Sequence, residues 1–446
     1  MTTLASFLDP FMLSSVNVAL PVLGPELGMS AVLLGWVNTA FLLSAAIFSV
    51  PFGRLGDIYG RKRIYMIGIS IFSVTTAICA LSVSPMMLIL FRVLQGLGAS
   101  MAFATRLAIL MSVFPASERG RVLGINVAAV YLGLTAGPFL GGVITQNLGW
   151  RYIFWLNVPI GITILTLAAL LLKGEWAEDK GLTFDLTGAV ILGLSLLALM
   201  YGFSTLPKIT AAILIAAGIL GITVFIRYEM IIDAPLIDIN LFRRNTVFAF
   251  SNLATMINYA ATFAISFLMS IYLQQVKGYS PQMAGIIMVS QPAVQAIFSP
   301  WAGRLSDRIE PRTVASVGMS LTFLGLVLLT FLSIAISLYY IVGCMILLGF
   351  GFALFSSPNT NAIMSSVDKR FYGLAGAMVS TVRQMGMMVS MGIVMMMLAL
   401  YLGHATIDTA TLGRFMLSMR TIFIILSALC FGGIFASLAR GRIRRQ

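Results

Sequence analysis

Ionisable residues are scarce in this chain, and their scarcity argues against a soluble protein. Asp, Glu, Lys and Arg make up 10% of the 446 residues, whereas hydrophobic residues make up 59%. A soluble domain does not need so much apolar surface, but a helical protein that crosses a membrane many times requires it. A transmembrane β-barrel would show alternating polarity, and this sequence has continuous apolar runs instead. We therefore predict an all-α, polytopic membrane protein.

Residues that bind metals or form disulfides are also few. The chain has one histidine, His404, in a predicted loop, and three cysteines, Cys79, Cys344 and Cys430, all inside apolar runs. We interpret the cysteines as small core residues rather than disulfide partners or metal ligands. We expect neither a metal site nor another cofactor.

Motifs for ATP use and for catalysis are missing as well. The sequence has no Gly-x-x-x-x-Gly-Lys-Ser/Thr loop, which argues against an ATP-driven pump. It has no evident pair of catalytic carboxylates and no nucleophile triad, which argues against an enzyme. The net charge of +13 would suit a nucleic-acid partner in a soluble protein, but here its distribution reports membrane topology. We expect no nucleic-acid partner.

Long apolar runs are what the sequence does have. A helix needs about 20 residues to cross the hydrocarbon core of a bilayer, and the chain contains about fourteen such runs. Six lie within residues 4–172, two within 185–227 and six within 246–439. We predict an N-terminal six-helix bundle (1–172), an inserted helix pair with flanking cytoplasmic linkers (173–245) and a C-terminal six-helix bundle (246–446).

The positions of the basic residues test this map. If both termini are cytoplasmic, 20 of the 28 Lys and Arg residues face the cytoplasm and 5 face the outside. The remaining three, Arg92, Arg106 and Arg383, lie inside apolar runs. The excess of inner charges follows the positive-inside rule. We expect a multi-pass plasma-membrane protein with both termini in the cytoplasm.

A charged segment, Gly53–Arg63, separates the second and third spans. It contains four cations and one acid, Asp57, and a weaker copy with Asp307 begins at Gly303. A segment that occurs twice at matching places indicates two related halves. In the second copy, Pro311 stands where Arg61 would align.

The Gly53–Arg63 segment resembles the loop motif between the second and third helices of major facilitator superfamily transporters. The resemblance implies that Gly53, Asp57, Gly60 and Arg61 form a gate. In that family the acid meets an arginine of its own loop and the positive end of a helix in the other half, which closes the cytoplasmic side. The alternative is that these charges only fix topology.

The fifth span contains Gly133, Gly137, Pro138, Gly141 and Gly142. Their spacing resembles the antiporter motif of the superfamily, and the order of six, two and six helices resembles its fourteen-helix drug:proton antiporter branch. The resemblance implies an exporter. The alternative, an ordinary glycine-rich helix crossing, explains the small residues but not the complete match.

Three intramembrane arginines, Arg92, Arg106 and Arg383, and one acid, Asp9, are the candidates for proton coupling or intramembrane charge. Arg92 lies in a segment that resembles a family motif for substrate or proton handling, although it could instead hold neighbouring helices together. The first span matches the branch motif at Asn17 but has Met12 where the branch has its acid, and Asp9 lies one turn earlier. Asp9 and Arg106 both fall about 8–10 Å from the same membrane boundary. We predict an ion pair, which is either static or switched by helix motion.

Polar residues within apolar spans should face protein or water. Those predicted to line a central cavity are Asn17, Asn38, Gln95, Asn126, Tyr131, Asn258, Gln291, Gln295, Asn359 and Asn361. About half of them could instead only bind neighbouring helices.

The function that these features favour is secondary active export of small, largely apolar compounds by a monomer, in exchange for protons. One alternative is an exporter of anionic metabolites, because Arg92, Arg106 and Arg383 outnumber Asp9 inside the membrane. Another alternative is a non-transporting sensor, but the sequence has no large soluble output domain.

Overall fold

The structure, a computed structural model, describes residues 1–114, 118–177, 184–232, 235–236, 245–367, 372–403, 405–408 and 410–441. These residues contain fourteen helices long and apolar enough to cross a membrane. They are α1 (Thr2–Glu26), α2 (Ala31–Tyr59), α3 (Arg61–Ala80), α4 (Pro85–Val113), α5 (Arg119–Asn147), α6 (Arg151–Leu171), α7 (Leu186–Thr205), α8 (Ile209–Glu229), α9 (Thr246–Val276), α10 (Pro281–Arg308), α11 (Pro311–Leu329), α12 (Leu338–Ser365), α13 (Tyr372–Tyr401) and α14 (Leu412–Ala439).

The predicted fold class is confirmed, and each predicted span corresponds to one of these helices. Since the spans alternate in direction and their number is even, both ends of the described chain lie at the same side of the bundle. We call that side the terminal face, and it carries Met1, the α2–α3 turn at Gly60 and Arg440. The side with the α1–α2 and α13–α14 connections is the opposite face.

Close approaches of glycine recur at matching places in the helices α1–α6 and α9–α14. A Cβ atom on Gly68 of α3 would collide with the backbone of α4 at Gly98, and Gly318 of α11 meets Gly351 of α12 in the same way. Two further approaches repeat in the same way. Gly96 lies against the Phe41 carbonyl in the first half, and Gly349 lies against the Gln291 carbonyl in the second. Gly133 lies against the backbone of Phe7 in the first half, and Gly386 lies against that of Met256 in the second. These glycine pairs at equivalent positions support the inference from sequence that the halves are related.

The helices α7 and α8 pack against each other, and α7 also contacts α2 and α13. A hydrophobic cluster that includes Leu192 and Leu196 joins α7 to Leu43 of α2 and Met388 of α13. The pair therefore lies beside the seam between the two halves. Most of α8 faces away from the rest of the protein, as expected for a helix in contact with lipid.

Two local features differ from the sequence interpretation. The charged segment is not a loop: α2 continues to Tyr59, α3 starts at Arg61, and only Gly60 interrupts them, with a φ of 112°. A residue with a side chain rarely adopts this φ, which accounts for the glycine. The ninth span is not uniform either, since α-helix ends at Thr262, resumes from Ala264 to Ile271 and becomes a π-helix over Tyr272–Val276.

Some predicted features cannot be compared. His404, residues 178–183 of the first polar linker and most of the linker 233–244 lie outside the described residues.

Candidate functional site

Asp9 and Arg106 form the predicted ion pair. Nη1 of Arg106 on α4 donates a hydrogen bond of 3.2 Å to Oδ2 of Asp9 on α1, and both side chains are largely shielded from solvent. The guanidinium also lies 5.1 Å from the centroid of the Phe103 ring. Two opposite charges that would each be costly alone in the bilayer are thus paired.

Arg92 is completely buried and binds its own bundle. Its Nε donates to the Val37 carbonyl of α2 at 2.9 Å, and its Nη1 donates to Oε1 of Gln95 at 2.5 Å. The Gln95 amide in turn donates to the hydroxyl of Thr76 on α3 at 2.6 Å, and the guanidinium lies 4.5 Å from the centre of the Phe41 ring. This network joins α2, α3 and α4, so the geometry favours the structural interpretation of Arg92.

Asp57 and Arg61 contact each other across Gly60. Nε of Arg61 lies 2.7 Å from Oδ1 of Asp57, and Nη1 of Arg61 donates to the hydroxyl of Ser112 on α4 at 3.0 Å. The candidate gate therefore connects the α2–α3 turn to the terminal end of α4. Because Arg61 and Ser112 belong to different helices, this contact would break if α4 moved relative to the turn.

Neighbouring contacts repeat in the second half. The Lys62 ammonium binds the Leu172 carbonyl after α6, and Nη1 of Arg312 binds the Leu438 carbonyl near the end of α14 at 3.5 Å. The Asp307 carboxylate accepts from Nδ2 of Asn361 on α12 at 3.4 Å. The second copy thus keeps a connection to its own bundle although Pro311 replaces the arginine.

The glycines of the fifth-span motif face two different helices. Gly133, Gly137 and Gly141 are spaced four residues apart, and all three approach α1 too closely for a side chain. Gly142 faces instead the Pro281 carbonyl at the start of α10, in the other half.

One helical turn away, a glycine of α10 approaches the backbone of α5. The Pro138 carbonyl of α5 faces Gly285 of α10, again without room for a Cβ atom. The motif therefore forms a backbone-to-backbone contact between the halves near the opposite face.

Further contacts between the halves also lie at the opposite face. Nε2 of Gln274 in the π-helical segment donates to the Val18 carbonyl at 2.8 Å, and Nε2 of Gln275 donates to that of Pro21 at 3.1 Å. The Ala31 amide donates to the Ala405 carbonyl at 3.1 Å. These contacts close the opposite face.

The loop that contributes Ala405 has one structured acid. Hydrogen bonds donated by the Thr411 backbone and hydroxyl hold the pKa of Asp408 below its usual value. Asp408 also accepts from the Ala410 amide at 3.0 Å. This fixes the local shape of the α13–α14 connection.

Several predicted cavity residues form hydrogen bonds to neighbouring helices. Nδ2 of Asn38 donates to Oδ1 of Asn17 at 2.6 Å, and Asn126 accepts from the Ser6 hydroxyl at 2.6 Å. Nδ2 of Asn361 donates to the hydroxyl of Ser306 on α10 at 3.2 Å, and Gln95 belongs to the Arg92 network. These hydrogen bonds agree with the structural alternative, and a cavity-lining role for these residues stays a prediction. Gln295 is buried and Gln291 is half-buried in α10.

Arg440 is a buried, hydrogen-bonded arginine that the sequence indicates only as one of the basic residues that report topology. It is completely buried, and its Nη1 donates to Oδ1 of Asn359 on α12 at 2.7 Å. Its Nη2 binds the Ser437 hydroxyl at 2.9 Å and the Pro311 carbonyl at 3.5 Å. Asn359 also donates to the Ser251 carbonyl of α9 at 3.0 Å, so one arginine connects four helices of the second half.

The remaining candidates meet at the seam. The Arg383 guanidinium of α13 lies 5.0 Å from the centroid of the Tyr259 ring of α9. The Tyr259 phenol forms a hydrogen bond with Ser356 of α12, and Tyr131 of α5, which belongs to the first half, lies near enough to act on it electrostatically. Asn258, next to Tyr259, is completely buried. Residues from both halves therefore converge here, as a substrate site in a two-bundle transporter requires.

Residues 2–226 and 252–445 match the Major Facilitator Superfamily. The chain is 31% identical over 372 residues to the riboflavin transporter RibZ of Clostridioides difficile, covering 83% of this chain and 81% of that protein. It is 32% identical to the multidrug resistance protein Stp of Mycobacterium tuberculosis, covering 90% and 75%. It is also 32% identical to the cephamycin export protein CmcT of Amycolatopsis lactamdurans, covering 86% and 80%.

Solved structures share the fold. A bacterial homologue of the human lysosomal transporter Spinster, in an inward-facing, unoccupied conformation, aligns with a TM-score of 0.68 over 98% of this chain and 95% of that chain, at 16% identity. A point mutant of the nucleoside transporter NupG aligns with a TM-score of 0.65 over 98% of both chains, at 14% identity.

Proposed function

Because the chain belongs to the Major Facilitator Superfamily, whose members are membrane transporters, we propose that it exports small, drug-like compounds in exchange for protons. The export proceeds by alternating access: the two halves rock about a site between them, which opens to one side of the membrane at a time. The branch that we propose for the chain is the fourteen-helix drug:proton antiporter branch. The parts of the chain are the bundles 1–172 and 246–446 and the inserted pair 173–245.

The main support for export, rather than uptake, is the glycine motif of the fifth span and its position at the contact between the halves. Gly142 and Gly285 bring α5 and α10 into backbone contact at the opposite face. Such a contact can open and close as a unit when the halves rotate. The names of the relatives Stp and CmcT, a resistance protein and an export protein, support the same direction.

Asp9 is the proposed proton carrier. It is the one acid well inside the apolar spans of the sequence, and its partner Arg106 lies on a different helix. When the pair is closed the arginine favours the carboxylate, and when the pair opens the buried carboxylate favours protonation. Helix motion and proton binding are thereby coupled.

The proposed orientation places the terminal face in the cytoplasm of a plasma-membrane protein, because that face carries most of the basic residues. In the proposed cycle, a state with the opposite face closed loads substrate from the cytoplasm. The proposed transporting unit is a monomer, since substrate and proton sites lie within one chain.

The test is a substrate panel in inverted membrane vesicles. An imposed proton gradient, acidic inside, should drive uptake of at least one drug-like compound, and a protonophore should abolish that uptake. Vesicles with Asp9→Asn at equal protein level should lose the gradient dependence. Uptake that is indifferent to the gradient in the native protein would reject proton exchange.

A further inference from the structure

Of the three intramembrane arginines, Arg383 is the one that has neither a carboxylate nor a side-chain hydrogen bond among the described residues. Arg106 binds Asp9, and Arg92 is held by the Val37 carbonyl and Gln95. Asp9 is the one acid well inside the apolar spans of the sequence, and it is already paired. A guanidinium at this depth that has neither a counter-ion nor hydrogen-bond acceptors is costly, so its retention calls for a partner from outside the chain.

The surroundings of Arg383 favour a flat partner. Its guanidinium lies over the Tyr259 ring, 5.0 Å from the centroid. Among the residues that the structure describes, none accepts a hydrogen bond from its buried Nε. The side chain as a whole is half-buried, as are Tyr259 and Tyr131. The Arg383 guanidinium, which lies over the Tyr259 ring, thus keeps hydrogen-bond donors available between the two halves.

Asn258 adds a second, independent observation. It is completely buried in α9 and adjoins Tyr259, yet neither its amide nitrogen nor its amide oxygen has a partner among the described residues. A buried amide without partners is unfavourable unless a ligand supplies them. Asn258 can both donate and accept, which suits a heterocycle or a carbonyl-bearing ring.

Depth places these groups together. At about 1.5 Å per helical residue, Tyr131 and Tyr259 both lie about 18–20 Å from the terminal ends of α5 and α9, and Arg383 lies about 17 Å from that of α13. Substrate sites in transporters with two related halves lie near this level of the membrane.

We propose that these residues, the Arg383 site, select planar conjugated molecules that carry a negative charge, such as aromatic carboxylates. The anionic oxygens pair with the Arg383 guanidinium, and the ring system stacks between the phenols of Tyr131 and Tyr259. Asn258 binds a polar edge of the ring. This inference rests on the proposed export function and specifies the substrate class for it.

The test compares ligands that share one ring system and differ in the charge of a small substituent. The purified protein in nanodiscs is titrated calorimetrically with 2-naphthoate, 2-naphthamide and 2-naphthylmethylammonium, and in parallel with the corresponding anthracene series. The carboxylates should bind at least about tenfold more tightly than the amides, and the ammonium compounds more weakly than the amides. Equal affinities, tighter binding of the ammonium compounds, or no carboxylate binding would each overturn the proposal.

Variants of Arg383 and Tyr259 distinguish the contribution of the guanidinium charge to binding from that of the aromatic ring. Arg383→Gln should reduce carboxylate affinity to that of the amide and leave the amide affinity unchanged, whereas Arg383→Lys should keep part of the preference. Tyr259→Leu should weaken carboxylate and amide alike, and it keeps the test available if Arg383→Gln does not fold. The matched control is Arg420→Gln, an exposed arginine of α14, which should change nothing. A preference that survives Arg383→Gln would contradict the assignment.

Transport assays distinguish failure of this inference from failure of the proposed function. If carboxylates bind through Arg383 but an imposed proton gradient does not move them, the substrate class stands and proton exchange fails. If the gradient drives neutral or cationic compounds while carboxylates neither bind nor compete, proton exchange stands and the substrate class fails.

Discussion

Gly142 of α5 lies directly against the Pro281 carbonyl of α10, so the two halves touch backbone to backbone at the opposite face. Gly142→Ala should push the halves apart there and favour the state that is open at that face, with transport reduced at least about tenfold. Accessibility of a single cysteine introduced in the α1–α2 connection to a membrane-impermeant maleimide should rise. The three native cysteines are buried and leave a low background.

The matched control for this change is Gly343→Ala. Gly343 has no atom near the position of an added Cβ, so transport and labelling should remain as in the native protein. Unchanged labelling in Gly142→Ala would show that the α5–α10 contact does not hold the face closed.

The ion pair between Asp9 and Arg106 should behave as one unit in a double-mutant cycle. Asp9→Asn and Arg106→Gln should each reduce proton-driven uptake strongly, whereas the double variant should lose little beyond the worse single variant. Groups in direct contact commonly couple by about 0.5–3 kcal/mol. Losses that simply add would argue against coupling, and uptake along an imposed substrate gradient serves as the control.

Asp57→Asn should reduce transport at least about tenfold while the protein still reaches the membrane, because the substitution removes the charge that holds Arg61 near Ser112. The measurement is uptake normalised to protein in the membrane fraction. Arg63→Gln, an exposed neighbour, is the control for loss of charge alone. Full transport by Asp57→Asn would leave the segment with a topological role only.

Arg92→Met should destabilise the protein without changing ligand affinity. The change leaves the Val37 carbonyl and Gln95 without a donor and costs about 3 kcal/mol. A lower melting temperature in detergent, compared with Arg420→Met, checks this expectation. A normal melting temperature combined with a lost substrate response would instead support a direct role in transport.

Arg440→Gln should destabilise the second half selectively. A shorter, neutral side chain cannot span Asn359, Ser437 and the Pro311 carbonyl together. Hydrogen exchange measured by mass spectrometry should rise at the terminal ends of α9, α11 and α12, with little change in α1–α6. Arg414→Gln, an exposed arginine of α14, provides the comparison. Uniform exchange in both halves would contradict a local role.

The helices and the Asp9–Arg106 contact could be predicted because both depend on distance along the chain. A helix rises by a constant amount per residue, so sequence position gives depth, and depth brought these two charges together. The related halves were equally visible, since Asp57 and Asp307 lie in copies of one motif.

Rotation about a helix axis could not be predicted. In a span that is apolar all around, hydrophobic periodicity does not identify the inner face. For that reason the sequence does not separate cavity-lining residues from residues such as Asn17, Asn38 and Asn126, which hydrogen-bond neighbouring helices. Arg440 was missed because it adjoins a basic stretch, 442–445, that resembles an ordinary topology signal.

The two buried arginines also differ in when they can act during synthesis. Among the described residues, the hydrogen-bond partners of Arg92 are Val37 and Gln95, so these contacts can form once the first four helices have been made. Arg440 joins helices that begin with α9, and they must wait in the membrane until residue 440 has been made. The second half therefore remains incomplete until residue 440 has been made, long after the contacts of Arg92 in the first half can form.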